Sequence, residues 1–301
     1  GMFIVKIGDT DSSVTEAGLI SAATAELRAN GGNVYALAGN NGGAINATGV
    51  STSGGRIFLT AGGGKVRAAK KVRATRQVSG RRSGGEIFVN ADVVNIAGLM
   101  QADGETGLGG RIDIGGREIA LEGATVDASG ATGGGQIRVG GGYRGGDFGS
   151  LTTATRTSVD SGSVLNAGAT QDGNGGQVIV WANGTTLFDG QIDIGGGAAG
   201  GNGGLAETSG AERLWVGSNT YVYGAAPNGR AGSWLLDPKT ITVATGGTAT
   251  LAEAADDTDS TNDITIDPST INSATVDVTL WASDKITVDN AISNASAITL
   301  S

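Results

Sequence analysis

The chain has 301 residues, 56 of them glycine and only 3 proline, a formal net charge of −9, and neither cysteine nor histidine. So much glycine without a Gly-x-y period excludes collagen, and the missing Cys and His exclude disulfides, thiol chemistry, Cys/His zinc sites and any His-dependent triad. The acidic balance argues against nucleic acid as a general partner, and an aromatic content of 4% predicts a thin, layered core of Ala, Val, Ile and Leu.

In chain order, Gly1-Met2 has the look of a tag remnant before an internal start, so a piece of a longer protein is expected. No window approaches the roughly 18 consecutive apolar residues of a membrane-spanning helix, and no signal peptide is visible. Residues 1–30 read as a flanking segment. Within it, Val14 to Asn30 is Ala-rich with Leu19, Ala22, Ala23 and Leu27 near helical spacing, which predicts a short helix or a flanking coil.

From 31 to 240 a unit Gly-Gly-x-apolar-x-apolar recurs. It starts at Gly31 (GGNVYALA), Gly54 (GGRIFLTA), Gly84 (GGEIFVNA), Gly109 (GGRIDIGG), Gly134 (GGQIRVGG), Gly175 (GGQVIVWA) and, degraded, at Gly203 (GGLAETSG). Spacings of this size mark a solenoid. Inside one unit, Ile112, Ile114, Ile119, Leu121 and Val126 alternate in short pieces broken by Gly115, Gly116 and Gly123, so each unit supplies short strands separated by turns. Helical hairpins are excluded because no unit has helical spacing over about ten residues, and propeller blades because only one spacing is near 40.

The prediction is an all-β, right-handed parallel β-helix of roughly 11 to 12 coils, with coils about 4.8 Å apart and a rod roughly 55 Å long. In TGGGQIRVGGG (Thr132 to Gly142), Ile137 and Val139 are expected to point inward, and Gln136 and Arg138 to solvent. The long gap after Gly134 holds YRGGDFGSLTTATRT, read as a projecting loop before another coil in TSVDSGSVLNAGAT. From 241 to 301, Thr/Asp/Asn-rich strands continue the coils and stop mid-pattern, which predicts more coils beyond Ser301.

The strongest local feature is KVRAAKKVRATRQVSGRR, with Lys65, Arg67, Lys70, Lys71, Arg73, Arg76, Arg81 and Arg82 and no acidic residue. A basic patch on an acidic rod is a candidate polyanion site, with Arg suited to bidentate sulfate or phosphate contacts; the alternative is a solvated outward face. The acidic stretch EAADDTDSTNDITID has Asp257, Asp259 and Asp263 at spacings that begin a calcium loop. Asn262 and Pro268 stand where the loop's glycine and bidentate glutamate belong, so a surface loop is preferred. Catalysis by two carboxylates needs them about 5 to 10 Å apart. Asp113 and Asp193 occupy similar positions in RIDIGG and QIDIGG but lie three or more coils apart, and Asp127 looks solitary. No nucleophile elbow, P-loop or dinucleotide fingerprint occurs. The chain is read as a non-enzyme without cofactor or metal. Trp181, Trp215, Trp234 and Trp281 are possible saccharide contacts, with packing under corners preferred.

The runs LRANGGNVYALAGNNGGAINATG, YRGGDFG, GNGGQVIVWANGTTLFDGQIDIGGGAAGGNGGLAETSG and APNGRAGSWLLDPKTITV together resemble the large exoproteins of the filamentous haemagglutinin family, over residues 15 to 300. The resemblance implies a secreted, surface-exposed protein of a Gram-negative bacterium, exported by two-partner secretion through an outer-membrane transporter. It implies adhesion to host cells, matrix or glycan, or a stalk presenting a C-terminal toxin. The family's N-terminal secretion domain, with its Asn-Pro-Asn-type motifs, is missing here, so the transporter contact is expected upstream. A polysaccharide-processing β-helix enzyme is the remaining alternative.

Overall fold

The computed structural model describes the strands among residues 2–49, and residues 55–69, 71–246, 250–256 and 265–301. The Gly-Gly strands stack side by side in parallel. The main sheet follows the order Met2–Ile7, Thr24–Asn30, Arg56–Ala68, Glu86–Ile96, Arg111–Leu121, Gln136–Val139, Gln177–Ala182, Leu205–Gly210, Ser233–Leu236, Asp277–Leu280 and Ile298–Leu300. A second sheet runs alongside it through Leu19–Ala22, Ala44–Gly49, Val72–Val78, Leu99–Gln101, Thr125–Asp127, Val164–Asn166, Gln191–Asp193 and Tyr221–Tyr223. Each strand pairs with the coil before and the coil after it, which is the all-β parallel β-helix expected.

Three early strands, Arg56–Ala68, Glu86–Ile96 and Arg111–Leu121, run through a corner unbroken. Later coils divide that span. Arg156–Val159, Thr185–Phe188 and Arg213–Val216 stack on the second half of Arg111–Leu121, through Glu118↔Arg156 and Arg156↔Thr185↔Arg213. A coil therefore has three faces, and alternate residues of each point to the axis.

The registers turn those inward residues into columns. Ile57, Ile87, Ile112, Ile137 and Val178 form one, and Leu59, Val89, Ile114, Val139 and Val180 the next. All ten are fully buried. At about 1.5–3 kcal/mol per buried aliphatic side chain, each coil gains its stability from the coils on either side. Ile137 and Val139 lie where the sequence places them.

The glycine pairs are explained by contact. A Cβ on Gly109 would sit 1.9 Å from the carbonyl oxygen of Ala128, and one on Gly134 would sit 1.8 Å from that of Ala167. Backbone meets backbone where the third face closes onto the first. The following glycine uses this closeness: Gly135 N donates to Ala128 O at 2.8 Å, and Gly176 N to Ala167 O at 2.7 Å. The third face ends with a repeated device, in which Asp127, Asn166 and Asp193 accept the N–H two residues on, from Ser129, Gly168 and Gly195. These Asx turns start the corner.

Several expectations need correction. Val14 to Asn30 contains no helix; Val14–Glu16, Leu19–Ala22 and Thr24–Asn30 are strands with parallel partners. Ala25, Leu27 and Ala29 take the register positions of Ile57, Leu59 and Ala61, and parallel pairing with the next coil overrides alanine's high helix propensity, a preference of under about 1 kcal/mol per residue. In 241–301 the coils continue, but helices Leu251–Asp256 and Pro268–Ser273 interrupt them. Thr250 and Glu253 form a reciprocal capping box, and Asp267 caps the second helix ahead of Pro268. That helix buries Ile271.

Candidate functional site

The basic stretch runs along one strand, round a corner and into a hairpin. Arg67 lies exposed on Arg56–Ala68 and Lys71 exposed at the next corner. Arg73 and Arg76 lie half-buried on Val72–Val78, and Arg81 and Arg82 are exposed on Arg81–Gly84. The backbone of Lys65 belongs to the first of these strands, while its side chain and Lys70 lie outside the described residues. Val72–Val78 and Arg81–Gly84 form an antiparallel hairpin around Ser79 and Gly80, whose φ angles of 50° and 77° are those of a two-residue primed turn. The Ser-Gly dipeptide was the sequence signal for it.

Two of these cations are neutralised. Arg73 Nη2 donates to Glu105 Oε1 at 2.6 Å and lies 3.3 Å from Asp103 Oδ1, and Arg82 Nη1 lies 2.9 Å from Glu105 Oε2. The hydrogen bond from Arg73 holds the Glu105 carboxyl below its usual range. The sequence hides this, because the acids come from the next coil.

A different constellation occupies the outer side of the first face. Arg56, Glu86 and Arg111 form one row across neighbouring coils, and Phe58, Phe88, Asp113 and Arg138 the next. Phe58 and Phe88 stack with centroids 5.1 Å apart and planes 13° apart, and the Arg111 guanidinium lies 5.7 Å from the Phe88 centroid. Asp113 is wholly buried and takes Arg138 Nε at 2.8 Å, Arg138 Nη2 at 2.9 Å and Arg111 Nε at 2.6 Å. Arg138 is not turned to solvent as expected. The segment after it covers its guanidinium, with Phe148 at 5.0 Å and the Asp147 carbonyl accepting from Nη1 at 3.0 Å. Residues 148–151 then wall a groove of about 560 Å³ floored by Phe58, Phe88, Thr60 and Asn90.

The predicted projecting loop is therefore a strap lying on the rod. Gly141 and Gly145 pass over the Trp181 ring, where Cβ atoms would come within 2.4 and 2.7 Å of it. Arg144 Nε donates to Asp237 at 2.9 Å, and its guanidinium lies 4.5 Å from the Trp281 ring. The Arg144 N–H reaches both oxygens of Glu207, at 3.1 and 2.9 Å. Glu207 is fully buried, and burial pushes its pKa up to about 7. The glycines at 140–142 and 145–146 were the sequence signals of close packing here.

Three of the four tryptophans pack, and Trp281 lies half-buried against the Arg144 guanidinium. Trp234 is fully buried and donates to Thr208 Oγ1 at 2.9 Å, Trp215 packs with Leu187 and Ala254, and Trp181 lies under the strap. Asp113 and Asp193 lie on different faces. Asp193 instead shares a row with Asn166 and Asp127, so Asp127 is not solitary. Burial, then the Asp127 charge, raises the Asp193 pKa. Asp257, Asp259 and Asp263 lie outside the described residues, and Glu253 is spent on its helix cap. Among the described residues no group of three acidic side chains is placed to hold a metal ion, and no helix is long and apolar enough to cross a membrane.

No protein-family model matches the chain, and no curated protein matches it. Among solved structures, the crystal structure of the HMW1 secretion domain from Haemophilus influenzae aligns at 24% identity and a TM-score of 0.38. The alignment covers 73% of this chain and spans 64% of that one.

Proposed function

We propose that this chain is a rod-forming segment of a secreted, surface-exposed bacterial adhesin of the filamentous haemagglutinin type, with a structural and binding role and no catalysis. The observation that carries this reading is the unbroken parallel register of the first face, from Ile57 through Ile87, Ile112 and Ile137 to Val178. A solenoid held by nearest-neighbour stacking gains length coil by coil without needing a larger core. Such a chain can leave a cell through a narrow outer-membrane transporter and build its rod on the far side.

The carboxylates favour a non-catalytic role. Asp113 is buried with two guanidiniums on its oxygens, so it has no free oxygen to offer a glycosidic bond, and Asp127 and Asp193, two rungs apart on another face, each give an oxygen to an Asx turn. The test is attachment of beads coated with the chain to host cells and to extracellular matrix, against beads coated with the heat-unfolded chain. Attachment by the folded chain alone is expected. Equal attachment by both would reduce the segment to a passive stalk, and release of new saccharide ends from a polysaccharide panel would make it an enzyme.

A further inference from the structure

We propose that the groove between the Phe58–Phe88 stack and residues 148–151 is a binding site for a carboxylate- or sulfate-bearing saccharide. The inference deepens the adhesin reading by giving it a located site and a ligand class. It rests on size, on hydrogen-bond balance and on the shape of the polar row.

The groove's volume of about 560 Å³ is within the usual range of ligand pockets, about 300–1,000 Å³. Its hydrogen-bonding capacity is one-sided. Among the described residues most acceptors are already engaged: both oxygens of Asp113 hold arginines, Glu86 Oε2 lies 2.6 Å from Arg56 Nε, and Asn90 Oδ1 accepts from Thr152 N at 2.8 Å, which leaves Glu86 Oε1 as the remaining carboxylate oxygen. The donors remain. Asn90 retains its amide N–H₂ beside the groove. Arg56 and Arg111 each use Nε inside the protein and have side chains 41% exposed. Both line the groove, and among the described residues no hydrogen bond engages their outer guanidinium nitrogens, Arg111 resting against the Phe88 ring.

A surplus of donors selects a ligand rich in acceptors, and guanidinium prefers planar or tetrahedral oxyanions. Arg56 and Arg111 stand two strands apart in one row, roughly 10 Å at the spacing of parallel strands. One saccharide chain crossing the coils can meet both. Glu86 between them disfavours a third anion in the middle, so the two ends of the row carry the anion contacts. The exposed edges of Phe58 and Phe88, with Leu151 opposite, give sugar C–H groups an apolar wall.

The test is calorimetric titration of the full chain with a heparin-derived hexasaccharide, an oligogalacturonate and a neutral oligosaccharide of the same length. Ser150→Trp fills the groove from an exposed position and leaves every charge in place, while Arg56→Gln with Arg111→Gln removes the cations and leaves Arg138 on Asp113. Binding of at least one acidic ligand, weakened tenfold or more by each variant and absent for the neutral one, is the expected result. Which acidic ligand binds separates sulfate from carboxylate. Failure of both to bind, equal binding of the neutral sugar, or full binding by Ser150→Trp would overturn the proposal. So would loss of binding in Lys71→Gln/Arg76→Gln/Arg81→Gln with the groove intact, which would return the site to the hairpin. A chain that binds saccharide but whose beads do not attach to cells would refute the adhesin reading and leave the groove standing.

Discussion

Raising the pH from 5 to 8 should weaken the rod, and Glu207→Gln should remove most of that loss. Glu207 is an acid whose folded pKa, about 7, lies above its ordinary 4.5. Burial is the main cause, opposed by the hydrogen bonds from Arg144 N and Ser209. The folded chain holds this proton more tightly than the unfolded chain. The group therefore costs nothing below pH 4.5, progressively destabilises through the window from 4.5 to 7, and exerts its full penalty above it. At about 1.4 kcal/mol per pH unit of displacement, the full penalty is about 3 kcal/mol, and about 2.5 kcal/mol of it falls between pH 5 and 8. Glutamine keeps an acceptor for the Arg144 N–H and cannot ionise. Urea unfolding followed by tryptophan fluorescence at pH 5 and 8 should show the two proteins diverging by about 2.5 kcal/mol, with the variant the more stable at pH 8. Asp237, its pKa also raised by burial, adds a slope of the same sign to both proteins, and because its charge also raises the Glu207 pKa the divergence includes their coupling. Parallel pH profiles for the two chains would refute the reasoning.

Three other perturbations test the packing. Ile112→Ala removes one member of a fully buried column and should cost about 2–5 kcal/mol in the same unfolding assay. Arg138→Ala strips two of three guanidinium contacts from a wholly buried Asp113; a loss of about 3–5 kcal/mol is expected in the same assay at neutral pH. Gly141→Ala sets a methyl against the Trp181 ring and should lift the strap, seen as faster amide exchange over 141–147 with exchange in the Ile112 column unchanged.

The repeat made the fold legible. Period-2 alternation between glycine pairs at a roughly constant spacing has few solutions other than a parallel solenoid, and the inward places of Ile137 and Val139 followed from parity alone. What failed was whatever depended on a neighbouring coil. Ala25, Leu27 and Ala29 alternate as plainly as any later strand, but alanine's propensity obscured them until Ile57, Leu59 and Ala61 stood alongside. The basic run looked like one patch because its neutralising acids, Asp103 and Glu105, arrive a full coil later. Arg138 looked like a solvent residue because Asp113, one rung away and 25 residues earlier, gives it a partner, and the strap then covers it. The Phe58–Phe88 groove was invisible for the same reason: residues 30 apart in sequence become nearest neighbours only through register.

The strap shows how such a rod can vary its surface. The chain leaves the first face after Val139 and rejoins the second at Arg156, yet Gln136–Val139 and Gln177–Ala182 stay in register as though nothing intervened. The rungs fix both ends of the excursion, so a longer one costs only about 0.6 kcal/mol for each doubling of its length. That corner works as a mounting point. Related rods should diverge there in length and chemistry while their strands hold still, and a foreign peptide inserted at Gly149, where a side chain meets nothing within 4 Å, should be displayed with Arg144 and Phe148 still seated on the rod.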